Sequence, residues 1–412
     1  MTSRITRRAA TLAGLALGAL IMAQPALAQK KYGPGVSDTE IRIGQTMPYS
    51  GPASAYGSIG KIEQAYFKMV NEQGGVNGRK VTLISYDDAY NPPKTVEQTR
   101  KLVESDEVLL TYQGLGTPAQ AAVQKYLNDK KIPQMLVSSG ATRFSDYKQF
   151  PWTMAFNPNY QSEAHIYAQL ILRDYPNAKI GILYQNDDFG KDYVKGLKDA
   201  LGANAAKMIV SEASYETSDP TVDSQIVKLK GAGADLLFDV TTPKFAAQAI
   251  KKAAELGWQP THLMNINSTG VSQVMLPAGA ENSKGIISVN YFKDPLDPQW
   301  ADDEGMKRYK AFMAKYAPDA DASSTFSSYG YGTAQLMTEI LKRCGDDLTR
   351  ANVMKVATTL KGVSSDLALP GMSIQTAPDD YRINKQFKLM KFNGQRWELF
   401  GEVLTDTFKA TN

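Results

Sequence analysis

An α/β chain of two doubly wound units in series, each on a mostly parallel sheet, is what the sequence predicts, and three observations carry it. Strand-like and helix-like stretches alternate from Glu40 onward, the alternation restarts beyond Pro151–Pro158, and 412 residues with 43% apolar side chains suffice to fill two cores. Strands separated by helical patterns of ten or more residues make βαβ units, and these build parallel sheets.

In the first unit, Glu40 to Met47 reads as a strand, and Gly57 to Gln73 as a helix with Ile62, Ala65, Tyr66 and Met69 at i, i+3, i+4 and i+7. Gly74-Gly75 stops that helix. Lys80–Tyr86, Val108–Tyr112 and Gln134–Ser138 follow as strands, separated by helices over Pro93–Glu104 and Pro118–Asp129. The second unit gives strands at Lys179–Tyr184, Lys207–Tyr215, Asp235–Val240 and His262–Ile266, with helices over Gly190–Leu201, Val222–Gly231 and Pro243–Leu256. Gly285–Tyr291 is extended and apolar, Trp300–Tyr316 and Ser328–Lys342 are helical, and Phe387–Leu404 is a hairpin around Asn393-Gly394. No sequence repeat relates the units, and no long flexible linker joins them.

The first 28 residues address the chain to an exported compartment. Arg4, Arg7 and Arg8 precede an uncharged run from Ala9 to Ala28, with an apolar heart at Leu12–Ala23 and small residues at Ala26-Leu27-Ala28. This is the pattern of a cleaved secretory leader. The apolar heart is about half of the roughly 20 residues that span a bilayer. Thr6-Arg7-Arg8 leaves both the general and the twin-arginine export routes open. The formal charge of +4 is mostly leader: removing its three Arg leaves +1, no basis for binding nucleic acid or a membrane surface. Cys344 is the only cysteine, so no intramolecular disulfide forms; it reads as a helix residue just before a stop at Gly345. Residue 29 is Gln, so the cleavage point offers no cysteine for a lipid, and a freely diffusing periplasmic protein is expected.

A search for chemistry finds little. His165 and His262 are far apart, without Cys, Asp or Glu at ligand spacing, so no metal site is expected. Nucleophile elbows and phosphate-binding P-loops are missing. The paired acids Asp87-Asp88 and Asp187-Asp188 read as solvated loop residues or helix caps. Gly114-Leu-Gly116-Thr-Pro-Ala119 fits the turn of a dinucleotide site, but the next strand end, Leu136–Ser139, lacks the acid such a site needs, and no cofactor is expected. The turn keeps its physics without a nucleotide. Glycines let backbone approach a ligand, and the helix start at Pro118 offers free N–H groups to an anion. Thr117 adds a hydroxyl, and Ser139-Gly140-Ala141-Thr142 is a second small, hydroxyl-bearing turn. Because open α/β sheets bind ligands beyond the carboxyl ends of their strands, the loops at 48–56, 87–93, 113–118, 139–142, 185–189, 241–242 and 267–270 are the places for a site. Two facing lobes form a cleft that a hinge closes.

Ser50-Gly51-Pro52 with Tyr56-Gly57, then Asn71 to Gly78, then Tyr86-Asp87-Asp88, and later Asp187-Asp188-Phe189-Gly190, resemble in order and spacing the leucine/isoleucine/valine-type periplasmic binding proteins, over essentially the whole chain beyond the leader. The resemblance implies a two-lobed type I periplasmic binding protein with three hinge crossovers, near residues 155, 287 and 371. The first lobe would combine 35–155 with 288–371, and the second 156–287 with 372–412. It implies a non-catalytic receptor, monomeric, that hands a small ligand to the permease of an ABC importer; a ligand sensor that docks a signalling partner is the alternative on the same fold. Tyr56 would pack against the ligand side chain. Gly116 or Thr117, with Thr142 and the Gly140 backbone, would bind a carboxylate, and Phe189 would be an aromatic wall.

Two positions depart from the family pattern. Where its amino-acid binders carry an acid for the ligand's ammonium, this chain has Asn267, and a tyrosine expected beside the pocket falls at Thr241. The family's disulfide is also missing, with Tyr90 at one of its positions. A buried ammonium without a charged partner is costly, so the expected ligand is a carboxylate without an amine, aromatic or short aliphatic. A hydrophobic amino acid is the alternative, if Asp87 or Asp188 supplies the missing charge.

Overall fold

The computed structural model describes residues 30–405. The leader expected over residues 1–28 lies outside the described residues, as do residues 406–412 of the expected second lobe. Among the described residues, no helix is long and apolar enough to cross a membrane.

After β1 (Lys31–Tyr32), the chain lays down β2 (Glu40–Met47), β3 (Lys80–Asp87), β4 (Thr111–Tyr112), β5 (Gln134–Val137) and β6 (Thr153–Ala155). The last five form a parallel sheet in the order β3-β2-β4-β5-β6. Helix Gly57–Glu72 buries Ile59, Ile62, Tyr66, Phe67 and Val70 on one stripe and ends where Gly74 and Gly75 turn left-handed. Asn91 caps the helix Pro92–Glu104 by accepting from Lys94 N. Strand β4 is shorter than expected. The carbonyls of Val108 and Leu109 are taken by the Arg350 guanidinium, at 2.9 and 2.8 Å, although Leu109 N still donates to Arg42 O of β2.

The second sheet takes β7 (Ile180–Gln185), β8 (Ile209–Tyr215), β9 (Leu236–Val240), β10 (Thr261–Met264) and β11 (Ile287–Asn290). Strand β12 (Asp347–Leu348) pairs with β1, and β13 (Gln386–Phe392) and β14 (Trp397–Thr405) form the expected hairpin. The order is β14-β13-β11-β10-β9-β7-β8, parallel from β8 to β11 and antiparallel beyond.

Helices differ from expectation at several places, among them the unanticipated Arg350–Ala357 and a turn of helix at Ala205–Met208 that delays the strand expected from Lys207. Tyr160–Asp174, unanticipated, starts where Asn159 accepts from Gln161 N and Ser162 N. The helix expected from Trp300 begins at Glu304, because Asp303 caps it through Met306 N at 2.8 Å. The helix expected over Ser328–Lys342 runs from Thr325 to Cys344, between a Ser324 cap and the left-handed Gly345.

The first core joins Ile41, Ile43, Phe67 and Tyr112 of the first sheet unit to Phe312, Tyr331, Met337 and Leu341, so the late helices cover the early sheet. The chain therefore passes between the sheets after β6, after β11 and before β13. Ile374 and Ile383 still pack in the first core, beyond the passage expected near 371, and pairing in the second sheet resumes at Gln386. Within the first core, Glu63 is fully buried and accepts from Gln45 Nε2, Tyr112 OH (3.1 Å) and Thr333 Oγ1 (2.9 Å). Burial pushes its carboxyl up to about 8.

Candidate functional site

The carboxyl ends of both sheets meet around one cavity. From the first sheet come Tyr56, Tyr90, Gly116, Thr117 and Ser138; from the second come Phe189, Thr242, Ile266 and Asn267. Asn157, Tyr160 and Asn290–Lys293 enter from the first two crossing segments, and Thr325, Phe326 and Tyr329 from the start of helix Thr325–Cys344. The cavity offers about 80 Å³ to the centres of water molecules. One water needs roughly 10–15 Å³ of such space, so a small organic molecule fits.

Backbone geometry brings the early turn close. Gly116 has φ +99°, and a Cβ there would lie 2.3 Å from the Tyr90 ring, so only glycine suits this position. Helix Thr117–Asp129 starts here with Pro118 in its first turn. Its free N–H groups and the Thr117 hydroxyl, 2.7 Å from Ser139 Oγ, form the anion-friendly corner of the cavity. Tyr56 packs on Phe326 with ring centroids 5.1 Å apart, and its hydroxyl donates to Asn267 O at 3.0 Å, a bond from lobe to lobe. Phe189 packs edge-on to Tyr160 at 5.2 Å.

Of the residues singled out in the sequence, Tyr56, Gly116, Thr117, Phe189 and Asn267 line this cavity together. Gly140, Thr142 and Thr241 are not among its lining residues. Gly140 lies under the Tyr160 ring, and a Cβ there would lie 1.9 Å from Pro158 O. Thr142 faces the start of helix Tyr160–Asp174: its Oγ1 accepts from Asn159 Nδ2 and Gln161 Nε2, and its N–H donates to Asp192. Thr241 is buried behind the wall, donating to Asp239 Oδ1 at 2.6 Å, and its neighbour Thr242 reaches the cavity instead.

No acid lines the cavity among the described residues. Asp87 accepts from Ser50 and Lys94, and Asp188 pairs with Arg143, both away from it. Asp187 caps helix Asp188–Leu201. Lys293 is the one cation in the lining, and its Nζ turns to Asp303 Oδ2 (2.8 Å) and Asp366 O (3.1 Å).

Residues 40–396 match the family described as periplasmic binding protein. The chain belongs to that family. The binding protein is 24% identical over 342 residues to Leu/Ile/Val-binding protein homolog 1 of Brucella abortus (strain 2308), covering 81% of this chain and 87% of that one. It is 22% identical to homolog 7 of the same organism, covering 90% and 92%. Among solved structures it resembles a branched chain amino acid ABC transporter from Thermus thermophilus with bound valine (TM-score 0.80, 18% identity, 90% and 98% covered). It also resembles a fatty acid ABC transporter substrate-binding protein from Thermomonospora curvata (TM-score 0.73, 21% identity, 92% and 95% covered). The leucine/isoleucine/valine-type resemblance read in the sequence stands, with its two-lobed type I fold.

Sequence reasoning missed part of this binding protein's site. Tyr90 lies in the marked 87–93 loop but was given no part in binding; Asn157, Tyr160, Thr325, Phe326 and Tyr329 lie outside the strand-end loops, and several sit on crossing segments or a helix start. Glu163, fully buried, stands behind the wall: it accepts from Ile266 N (2.9 Å), Tyr193 OH (2.6 Å) and Tyr167 OH (3.1 Å). Burial pushes it up to about 7. The signal that could have found it is an acid in the apolar stretch that follows Asn159.

Proposed function

We propose that this protein is an extracytoplasmic solute receptor whose two lobes close on a small, amine-free carboxylate and deliver it to the permease of an ABC importer. Family membership supports the receptor role. The cavity wall without an acid carries the ligand class. An ammonium group enclosed there would meet Asn267, Thr325 and aromatic faces but no opposite charge, at a cost of several kcal/mol. The carboxylate goes to the Gly116–Thr117 corner, where helix-terminal N–H groups favour an anion. Tyr56 and Phe189 flank the apolar part of the ligand, and Gly140, Thr142 and Thr241 support the wall from behind.

A thermal-shift screen of refolded, dialysed protein tests the reading. Ligand at about 1,000 times its Kd adds roughly 4 kcal/mol and raises the midpoint by several degrees. Aromatic or aliphatic carboxylates should shift it, while their amides and alcohols should not. A shift with leucine, isoleucine or valine and none with amine-free acids removes this ligand class. Deleting the gene should abolish uptake of the acid that binds; unchanged uptake removes the transport role.

A further inference from the structure

Two polar side-chain atoms in the cavity wall are shut off from solvent and find no hydrogen-bond partner among the described residues: Asn267 Nδ2 and Thr325 Oγ1. Leaving a buried donor unpaired is costly, so such atoms in a ligand cavity mark where the ligand supplies the partner. What they ask of it follows from the bonds behind them. Tyr329 OH donates to Asn157 Oδ1 at 2.5 Å. Asn157 Nδ2 in turn donates to Asn267 Oδ1 at 3.0 Å. Tyr329 has spent its hydrogen, so Ser138 Oγ, 3.0 Å away, donates to Tyr329. The relay runs from the end of β5, through a helix and a crossing segment, to the loop after β10. It uses up the Asn267 oxygen and leaves its N–H₂, in the cavity wall, without a partner.

Resting on the carboxylate reading above, we propose that this site takes an oxygenated acid: an oxo, hydroxy or dicarboxylic acid whose second oxygen accepts from Asn267 Nδ2 and meets the Thr325 hydroxyl. An ammonium brings hydrogens to a position that already presents hydrogens. An unsubstituted acid leaves the Asn267 donor unpaired. A site built around a hydrogen bond rejects both kinds of analogue far more strongly than an apolar pocket rejects a missing methylene.

Calorimetric titration with acids of similar carbon count tests this: isocaproate, α-ketoisocaproate, α-hydroxyisocaproate, adipate and leucine. At least one of the three oxygenated acids should bind about ten times more tightly than both isocaproate and leucine. The near-isosteric variant Asn267→Asp should reverse the order, losing the oxygenated acid and gaining leucine. Thr325→Val should weaken the oxygenated acid several-fold more than it weakens isocaproate; melting curves check that both variants fold. Isocaproate binding as tightly as every oxygenated acid overturns this inference and leaves the carboxylate reading standing. Leucine binding tightest, or no acid binding at millimolar concentration, overturns both. Selectivity unchanged in Asn267→Asp removes the assignment to Asn267.

Discussion

Each lobe buries one glutamate on a helix, and the two are put to different use. Glu63 gathers hydrogens from β2, β4 and helix Thr325–Cys344, all within the first core. Glu163 gathers two tyrosine hydroxyls from helices of its own lobe, but its third donor is the backbone of Ile266, a residue of the cavity wall. The chemistry is the same: a carboxyl, wholly buried and ringed by three donors. In the first lobe it pins a helix to a sheet. In the second it also holds the loop that carries Asn267 in place. A buried carboxyl thus serves ligand recognition when one of its donors belongs to the site.

The largest effect that tests this comparison is common to both lobes. Glu63→Ala orphans Gln45 Nε2 and Tyr112 OH, and Glu163→Ala orphans Ile266 N–H and Tyr193 OH, while Thr333 and Tyr167 keep backbone carbonyl acceptors; each variant should lose about 3 kcal/mol or more, read from urea unfolding. A loss under about 1 kcal/mol would mean that water or neighbours replace the carboxyl.

Next in size is pH dependence. Burial raises both native values, to about 8 for Glu63 and about 7 for Glu163, above an ordinary carboxyl. Near pH 4 both states hold the proton; above that the unfolded chain releases it first. Stability therefore falls as pH rises through the window up to 7 or 8, by up to about 1.4 kcal/mol per unit for each group. Calorimetric melting midpoints should drop between pH 5 and 8, and the slope should shrink in Glu63→Gln or Glu163→Gln. A midpoint unchanged across that range contradicts it.

Ligand affinity then separates the lobes. Glu163→Gln weakens the acceptor for Ile266 N–H and should cost about 1 kcal/mol of binding, near fivefold in Kd, while Glu63→Gln leaves Kd unchanged. Equal effects from both variants would dissolve the distinction. The smallest change is Tyr56→Phe, which removes the hydrogen bond from lobe to lobe. As the loss of one of several such bonds, it should weaken binding by about 0.5–1.5 kcal/mol in the same titration, and an unchanged Kd would place that bond in the open form as well.

How much could be read in advance depended on periodicity. β2 and helix Gly57–Glu72 alternate or repeat cleanly, and both were legible to within a residue. Helix Tyr160–Asp174 was not, because it buries polar Gln161, Ser162 and Glu163 together with its apolar residues, so polarity does not mark the narrow stripe of His165, Gln169 and Arg173 left outside. β6 is three residues long and β12 two, too short for any pattern. The strand-end rule found Tyr56, Gly116, Thr117, Phe189 and Asn267, since those positions depend only on local connection. Thr325, Tyr329 and Asn157 reach the cavity because distant segments fold back over it, which no local pattern encodes. Thr142 and Thr241 show the converse: their loops are where the rule puts them, but neighbouring polar groups claim their hydroxyls.

The pairing of β1 with β12 joins Lys31 to Asp347 and Tyr32 to Leu348, and Arg79 fastens the same seam through Asp346 and Tyr32. The second sheet likewise waits for β13 and β14 at the far end of the chain. Neither lobe can therefore finish folding while the chain is still growing; each needs residues made hundreds of positions later. Contacts of such sequence separation form slowly, because a long loop must close before the contact rewards it. Completion of either lobe waits until nearly all of the chain exists, a delay written into its connectivity rather than into any single residue.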